Sequence, residues 1–492
     1  MKLLAKAINL CQTKINQKKY QESELLSEQI LKVDRENLIA KYFLALSKKN
    51  LNKKEEFEIY LRELMETKSN SCKKNIFLGT ACSGLGEVDK AIEFFQKAIS
   101  KNKKNYKAWS NLGHQYKIKK KYDLAIECLN KSYSIKKTEH AFVNLASVYI
   151  ETNQIDKAIK CLKKSIKINP KSYQAYFNLG GAYFLKGEIH KAWKNYQYRF
   201  KYFNYFQEMP KEKRLIGKKI ENKNYKILFL VEQGIGDIFN FIRFISNFKD
   251  KFTNCEIKIL IPSTYSNDLI ELLDYNFKNT IIKDTKEYKY DYWCSIMDVP
   301  YYLNLNKEEI ENTYRPYIKA ANQCDYSSFN NIYKIGICWA GSPVNPRDKE
   351  RSCHLHYFKN IMNVPNVKLF SLQKDLRLRV WPYEKDPVDL SDCKEIKLID
   401  MSPFMNSWSN TASIIDGLDL IISVDTSILH LACALGKKTY GIVPYAPDWR
   451  WGLVSNKSIW YPNLTLFRQK EPDDWGSVFF EIENRLSKEN IV

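Results

Sequence analysis

Four stretches of this sequence carry residues whose types and spacing could do chemistry. The first is VEQGIGDIFNFIRF (231–244). Gly234 and Gly236 would permit a tight turn and let a ligand approach the backbone closely. Asp237 stands at the start of the helix-like run that follows. No Gly-Lys-Ser comes after it and no Gly-x-Gly-x-x-Gly is present, so neither common phosphate-loop fingerprint applies. Asp237 is either a carboxylate facing a ligand or a plain helix N-cap, and spacing alone favours the cap. The second stretch is LIISVDTSILHLACALG (420–436), a strand, a polar turn and a helix. Asp425, Thr426 and Ser427 fall at the helix start, where backbone N–H groups and hydroxyls make a ready anion site. His430 follows Thr426 by about one helical turn, so both can face one ligand. The alternative is a capped helix with a buried histidine. The third, ICWAGSPVNPRDKERSCHLHYF (337–358), runs from a strand into a loop with Arg347, Lys349 and Arg351. Such a loop can clamp a diphosphate through charge-assisted hydrogen bonds, or simply be solvated. His354 and His356 lack further ligand-type neighbours, so no metal site is read there. In the fourth, PYAPDWRWG (444–452), Trp449 and Trp451 with Arg450 either line a sugar or base pocket or pack structurally.

These stretches need a frame. From Tyr225 onward short apolar runs alternate with helical periods: KILFLV (226–231), EIKILIP (256–262), NTII (279–282) and DYWCSIM (291–297). After a break near 320–333 come KIGICWA (334–340), VKLFSL (367–372), IKLID (396–400), DLIISV (419–424) and KTYGIVP (438–444). Strands alternating with helices imply parallel sheets with right-handed crossovers. Two such runs predict two Rossmann-like halves, 224–325 and 326–492. Ligands of open α/β sheets sit beyond the carboxyl ends of the strands, and the four stretches fall there. Residues 204–223, with Pro210 and a run of charges, read as a linker.

Residues 1–203 follow a different rule. Leu44, Leu78, Leu112, Leu145 and Leu179 recur every 33 or 34 residues, each followed by Ala45, Gly79, Gly113, Ala146 or Gly180. Ala91, Ala125, Ala158 and Ala192 hold a second small position, and Phe95, Leu129, Leu162 and Tyr196 a large one. Small residues let the two helices of a hairpin approach, and large ones fill the groove between them and the next hairpin. Period and residue types resemble the tetratricopeptide repeat, with about six hairpins in an α-solenoid. That resemblance implies a protein or peptide partner on the concave face. The same region holds most of the chain's charge. Residues 1–200 carry 39 Lys and Arg against 19 Asp and Glu, or +20 of the formal +22. Such a surface can steer an acidic partner, or it can reflect solvated lysine-rich helix faces, the reading the length of exposed helix favours.

The segment 224–488 resembles the repeat-linked bacterial glycosyltransferases related to glycosyltransferase family nine, the lipopolysaccharide heptosyltransferases. The resemblance rests on EQGIGDIFNFIRF, CWAGSP, RDKERS, SLQKD, ISVDTSILHLACALG and PDWRW in that order. It implies a GT-B fold and metal-independent transfer of a sugar from a nucleotide diphosphate donor, with no cofactor. It implies that Asp237 is the general base on the acceptor, a saccharide or a protein. Gly234, Gly236, Asp425, Thr426, Ser427 and His430 would hold the donor, with Lys349 or Arg351 on its diphosphate. It also implies a C-terminal helix over 471–488 that crosses back onto the first half. The competing reading is a non-catalytic scaffold with a degenerate transferase domain.

Composition narrows the rest. The twelve cysteines form no Cys-x-x-Cys pair and read as small core residues in a reducing compartment. No run reaches the roughly 18 apolar residues of a membrane span, and the start lacks a cleavable signal. The expectation is a cytoplasmic protein, with peripheral contact at the inner membrane left open. No nucleic-acid module is evident.

Overall fold

A computed structural model describes residues 2–221, 223–345, 347–374 and 397–489. Asp375 of the SLQKD motif and Ile396 of the expected IKLID strand lie outside these. The chain forms two compact units, Met1–Ala175 and Tyr176–Val492.

The first unit is a run of helical hairpins. Ten helices from Lys2–Asn16 to Ile155–Ile168 fall within it. An eleventh, Tyr173–Lys186, begins there and with Ile189–Tyr196 makes a sixth hairpin. The repeat is visible in the backbone itself. Each turn inside a hairpin holds one left-handed residue: Lys18, Asn52, Gly86, Lys120, Asn153 and Gly187. These stand 33 or 34 residues apart, so the two weakly patterned hairpins at the start obey the same geometry as the rest. Only two of the six are glycine, although a left-handed non-glycine residue costs about 1–2 kcal/mol. Helix starts repeat as well. Asn37, Ser71, Asn105 and Thr138 each accept a hydrogen bond from the backbone N–H three residues on, which satisfies one of the orphan donors of the first turn.

Small residues sit where the helices of a hairpin touch. A β-carbon added at Gly79 would lie 2.7 Å from Phe95, and one at Gly113 would lie 2.8 Å from Leu129. At Gly180 it would lie 2.7 Å from the backbone nitrogen of Tyr196. The large residue sixteen positions on therefore fills the space the glycine leaves.

The second unit contains two parallel sheets. Strands β1 (Lys226–Leu230), β2 (Glu256–Leu260), β3 (Ile281–Ile282) and β4 (Tyr292–Ser295) form the first, in the order β3-β2-β1-β4. Strands β5 (Tyr333–Cys338), β6 (Val367–Ser371), β7 (Leu398–Asp400), β8 (Leu420–Val424), β9 (Thr439–Val443) and β10 (Leu464–Arg468) form the second, ordered β10-β9-β8-β5-β6-β7. Every pairing is parallel. In each sheet the chain steps outward from its first strand, then returns to that strand's other side. The order reverses between β1 and β4 and between β5 and β8, which is where a crevice opens at the strand ends. Strand β10 is not among the strands expected from the sequence.

One expectation changes. The C-terminal helix, Trp475–Lys488, does not cross to the first half. Trp475, Val478, Phe479, Ile482 and Leu486 bury against Ile335, Phe358 and Ile361 of the second half, and Glu489 accepts from Lys438 and Tyr440 beside and on β9. Its apolar stripe matches the sheet beside it. The expected linker is tied to the first sheet at two points: Leu215 N–H donates to the carbonyl of Trp293 in β4, and the Trp293 indole donates to the carbonyl of Pro210. No helix among the described residues is long and apolar enough to cross a membrane.

Adjacent glycines separate packing from propensity. Gly180→Ala should destabilise the chain by about 1–3 kcal/mol, because the methyl meets rigid backbone. Gly181, with nothing within 4 Å of an added β-carbon, should gain up to about 1 kcal/mol from the same change. Urea unfolding midpoints of the two variants decide this, and equal shifts would refute the packing account.

Candidate active site

The crevice of the first sheet is already filled. Glu232 follows β1, Asp298 follows β4, and the guanidinium of Arg199 lies between them. Its Nη2 is 2.6 Å from Glu232 Oε1 and 2.7 Å from Asp298 Oδ1, and its Nε donates to Glu232 Oε2 at 3.0 Å. Arg199, Glu232, Ser295 and Asp298 are all buried. Ser295 Oγ donates to Glu232, Gln197 donates to Asp298 at 2.7 Å, and Arg214 pairs with Asp298 at 3.1 Å. Two cations thus face two carboxylates. Burial opposes the Arg199 charge, and the carboxylates outweigh it, holding the guanidinium well above its ordinary range.

At the second sheet's reversal Arg351 takes the corresponding place, pairing with the buried Asp348 between Gly341, after β5, and the Asp425 carbonyl, after β8. Strand β8 ends at Val424 and the helix Ser427–Ala434 starts three residues on. Thr426 gives that helix no side-chain cap. Its hydroxyl turns back to Ser423 Oγ, 3.1 Å away. Asp425 Oδ1 lies 3.6 Å from His430 Nε2, whose other ring nitrogen pairs with the Tyr461 hydroxyl at 2.9 Å. The ring stacks on Trp451 with centroids 5.4 Å apart. Burial alone would raise the Asp425 carboxyl; the His430 hydrogen bond and the charges of His430 and Arg351 leave it below the usual carboxylate range.

The loops after β1 and β8 meet. The helices Ile235–Ile242 and Ser427–Ala434 pack together, and a β-carbon on Gly236 would stand 2.7 Å from His430 Cδ2. Gly236 is therefore required for approach, but to His430 and not to a ligand. Gly234 has extended backbone (φ −90°, ψ 168°), and the left-handed turn residue is Gln233 (φ 65°), so the tight turn expected of the glycines is made by their neighbour. Asp237 is a cap: its Oδ2 accepts from Gly234 N–H at 2.9 Å. It is also an ion-pair partner, since its Oδ1 meets Arg450. Arg450 reaches on to Asp448 Oδ1 at 2.6 Å. Burial and the nearby Asp425 charge push the Asp448 carboxyl up to about 7, and burial pulls the Arg450 guanidinium down to about 10.

Among the loop cations, Arg351 joins the site: Nη1 donates to the Asp425 carbonyl at 2.6 Å, and Nε pairs with the buried Asp348 at 2.9 Å. Arg347 pairs with Glu350 and the Ala446 carbonyl, and Lys349 is exposed. Ser427 is half-buried at the helix start. Trp449 is a packing residue, stacked on Phe184 at 4.3 Å and enclosed by Trp193, Tyr196 and Trp460. A cavity of about 210 Å³ opens beside it, lined by Leu185, Arg450, Trp451 and Trp460. Sequence reasoning missed Tyr461, Asp448, Glu232 and Arg199. Asp448 and Glu232 stood inside recognised motifs; the other two carry no local signal.

Comparison with known proteins decides the front part. Its residues 75–105, 94–127 and 146–197 match tetratricopeptide-repeat patterns. The front part of the chain carries tetratricopeptide repeats. Over 156 residues, 31% of its length, the chain is 27% identical to the tetratricopeptide repeat-containing protein trd-1 of Caenorhabditis elegans, and spans about a fifth (19%) of that relative. Among solved structures it is similar to a thermophilic TPR protein of Thermus thermophilus (18% identity, covering 36% of this chain and 98% of that one, TM-score 0.31). It is also similar to YrrB, a TPR protein with an unusual peptide-binding site (18%, 34% and 88%, TM-score 0.25).

Two measurements probe the unit behind the repeats. Arg199→Ala leaves the buried Glu232 without its cation and Asp298 with Arg214 alone, and should cost about 3–5 kcal/mol, read as a lower urea midpoint for the second unit; a loss under about 1 kcal/mol would contradict the assigned pairing. Asp448 has a folded pKa above its unfolded value, so its stabilising contribution is complete below pH about 4 and is lost as pH rises through about 7. Wild type should therefore lose stability relative to Asp448→Asn across that window. A pH-independent difference would contradict the raised pKa. With 32% of the side chain exposed, solvent screens part of this effect.

Proposed function

We propose that this chain is a protein-binding repeat array joined to a nucleotide-diphosphate-sugar glycosyltransferase of the GT-B kind, in which the repeats recruit the acceptor or its carrier. The supporting observation is the meeting of the loops after β1 and β8 beside the second crevice. The helix Ser427–Ala434 opens onto that crevice without a side-chain cap. A diphosphate fits there because helix N-termini favour anions, and Arg351 adds a fixed cation. Charge growing on the leaving diphosphate would be stabilised by donors already in place. Asp237 is the expected base. Both its oxygens are engaged, by Gly234 N–H and Arg450, so it takes a proton only once Arg450 turns to another anion, which the donor supplies. His430, oriented by Tyr461, stands on the donor side of the same meeting point.

A second reading rests on that same engagement of Asp237. A carboxylate bound on both oxygens is what a structural pin between the halves requires, and it suits a non-catalytic scaffold whose second unit only binds.

A thermal-shift series with ADP-, UDP-, GDP- and CDP-sugars separates the readings. One nucleotide class should raise Tm through binding to the native state, and the same donor should release nucleotide when acceptor protein is present. Asp237→Asn should keep the donor-induced shift and lose transfer. A chain that no donor stabilises and that releases no nucleotide would leave the scaffold reading.

A further inference from the structure

Buried charge in this protein meets opposite charge at several places. Arg199 and Arg214 face Glu232 and Asp298, Lys48 faces Glu24, Glu28 and Glu56, and Arg450 faces Asp237 and Asp448. Arg243 is different. It stands at the joint between the helices Ile235–Ile242 and Phe244–Lys251 and is only 4% exposed. Its Nε, Nη1 and Nη2 all lack a hydrogen-bond partner among the described residues.

Its surroundings are aromatic and neutral. The guanidinium lies 4.5 Å from the Phe244 ring centroid, 5.7 Å from Tyr314 and 5.8 Å from Tyr461. Tyr317 and Cys433 are also close. Burial pushes the Tyr314, Tyr317 and Tyr461 phenols and the Cys433 thiol well up, so none supplies negative charge near neutral pH. The phenol hydroxyls are already used. Tyr314 donates to the Cys433 carbonyl and Tyr317 to the Phe239 carbonyl, each at 2.6 Å, while Tyr461 pairs with His430. One turn before Arg243, the fully buried Asn240 has neither side-chain atom bonded.

A guanidinium cannot shed its proton to escape this environment. An unpaired buried cation is strongly unfavourable. Contacts with ring faces offset only part of that cost and satisfy none of its N–H donors. Nor do they answer the Asn240 amide.

We propose that Arg243 and Asn240 form a buried site for a small monovalent anion of halide size. A single negative charge neutralises the guanidinium, whereas a divalent anion would leave net charge in an apolar enclosure. The N–H groups of Arg243 and the NH2 of Asn240 are donors without acceptors, which is what an anion needs. The enclosure by Phe244, Tyr314 and Tyr461 keeps the occupant small. The site lies behind the candidate donor crevice: the Tyr461 ring contacts Arg243 while its hydroxyl holds His430. The inference does not rest on the transferase reading.

Crystals of the full chain grown with bromide in place of chloride give the direct test. An anomalous bromide peak in contact with both Arg243 and Asn240 is the expected result. Waters alone around Arg243, or a carboxylate paired with it, overturns the proposal. In solution, Tm should rise with the logarithm of chloride or bromide concentration relative to gluconate at equal ionic strength, and Arg243→Met should lose that dependence. Equal responses to all three anions overturn it as well. If Arg243→Met does not fold, the wild-type diffraction and salt series decide.

Discussion

The architecture of the second unit turns on one guanidinium. Arg199, from the short helix after the last repeat hairpin, occupies the point where the first sheet reverses its strand order. Parallel sheets leave a crevice at such a point, and in many proteins a ligand fills it. Here Glu232 and Asp298 project into it, and the chain answers them with Arg199 and Arg214. A crevice filled by the protein itself is closed to a ligand. That filling explains why the last hairpin belongs with the sheets, the division falling between Ala175 and Tyr176.

The second crevice is organised by close approach more than by charge. Gly236 lets His430 reach the start of the helix opposite, and any larger residue there would push the halves apart. Arg450 then ties Asp237 on one half to Asp448 on the other. The carboxyls of Asp425 and Asp448 are driven in opposite directions by their surroundings. A pair of acids so divided is a usual mark of proton-handling sites, although structural ion pairs divide acids too.

Much of this is legible in the sequence, for identifiable reasons. The repeat can be read because each hairpin contacts mainly its neighbours, so its rules recur at fixed spacing: the small residue at 79, 113 and 180 and the large one sixteen positions on. Buried parallel strands such as KILFLV and DLIISV stand out as apolar runs. Strand β10 does not, since Thr465 breaks a short run and Leu464 comes just after Pro462-Asn463. Asp237 reads as a cap or as a carboxylate facing a ligand; its capping bond follows the local pattern, whereas its pairing with Arg450, 213 residues on, does not. The direction of the last helix cannot be read: its stripe says only that it packs, and the partner face is chosen by tertiary contacts. Arg199 is out of reach for a related reason. Its partners stand 33 and 99 residues away, and no local pattern marks a residue that will be neutralised at that range.

Those separations carry a consequence for synthesis. Repeats can fold soon after leaving the ribosome, because each needs only adjacent sequence. Arg199 cannot be neutralised so soon. At a synthesis rate of about 5–20 residues per second, Asp298 emerges roughly 5–20 seconds after it. Glu232 emerges about 2–7 seconds after Arg199, and until then a finished repeat array ends in an unanswered positive charge, exposed to whatever anions or chaperones are near. The chain is thus made in two tempos, a rapid one along the repeats and a waiting one at this arginine, and the second unit closes only when its latest carboxylate arrives.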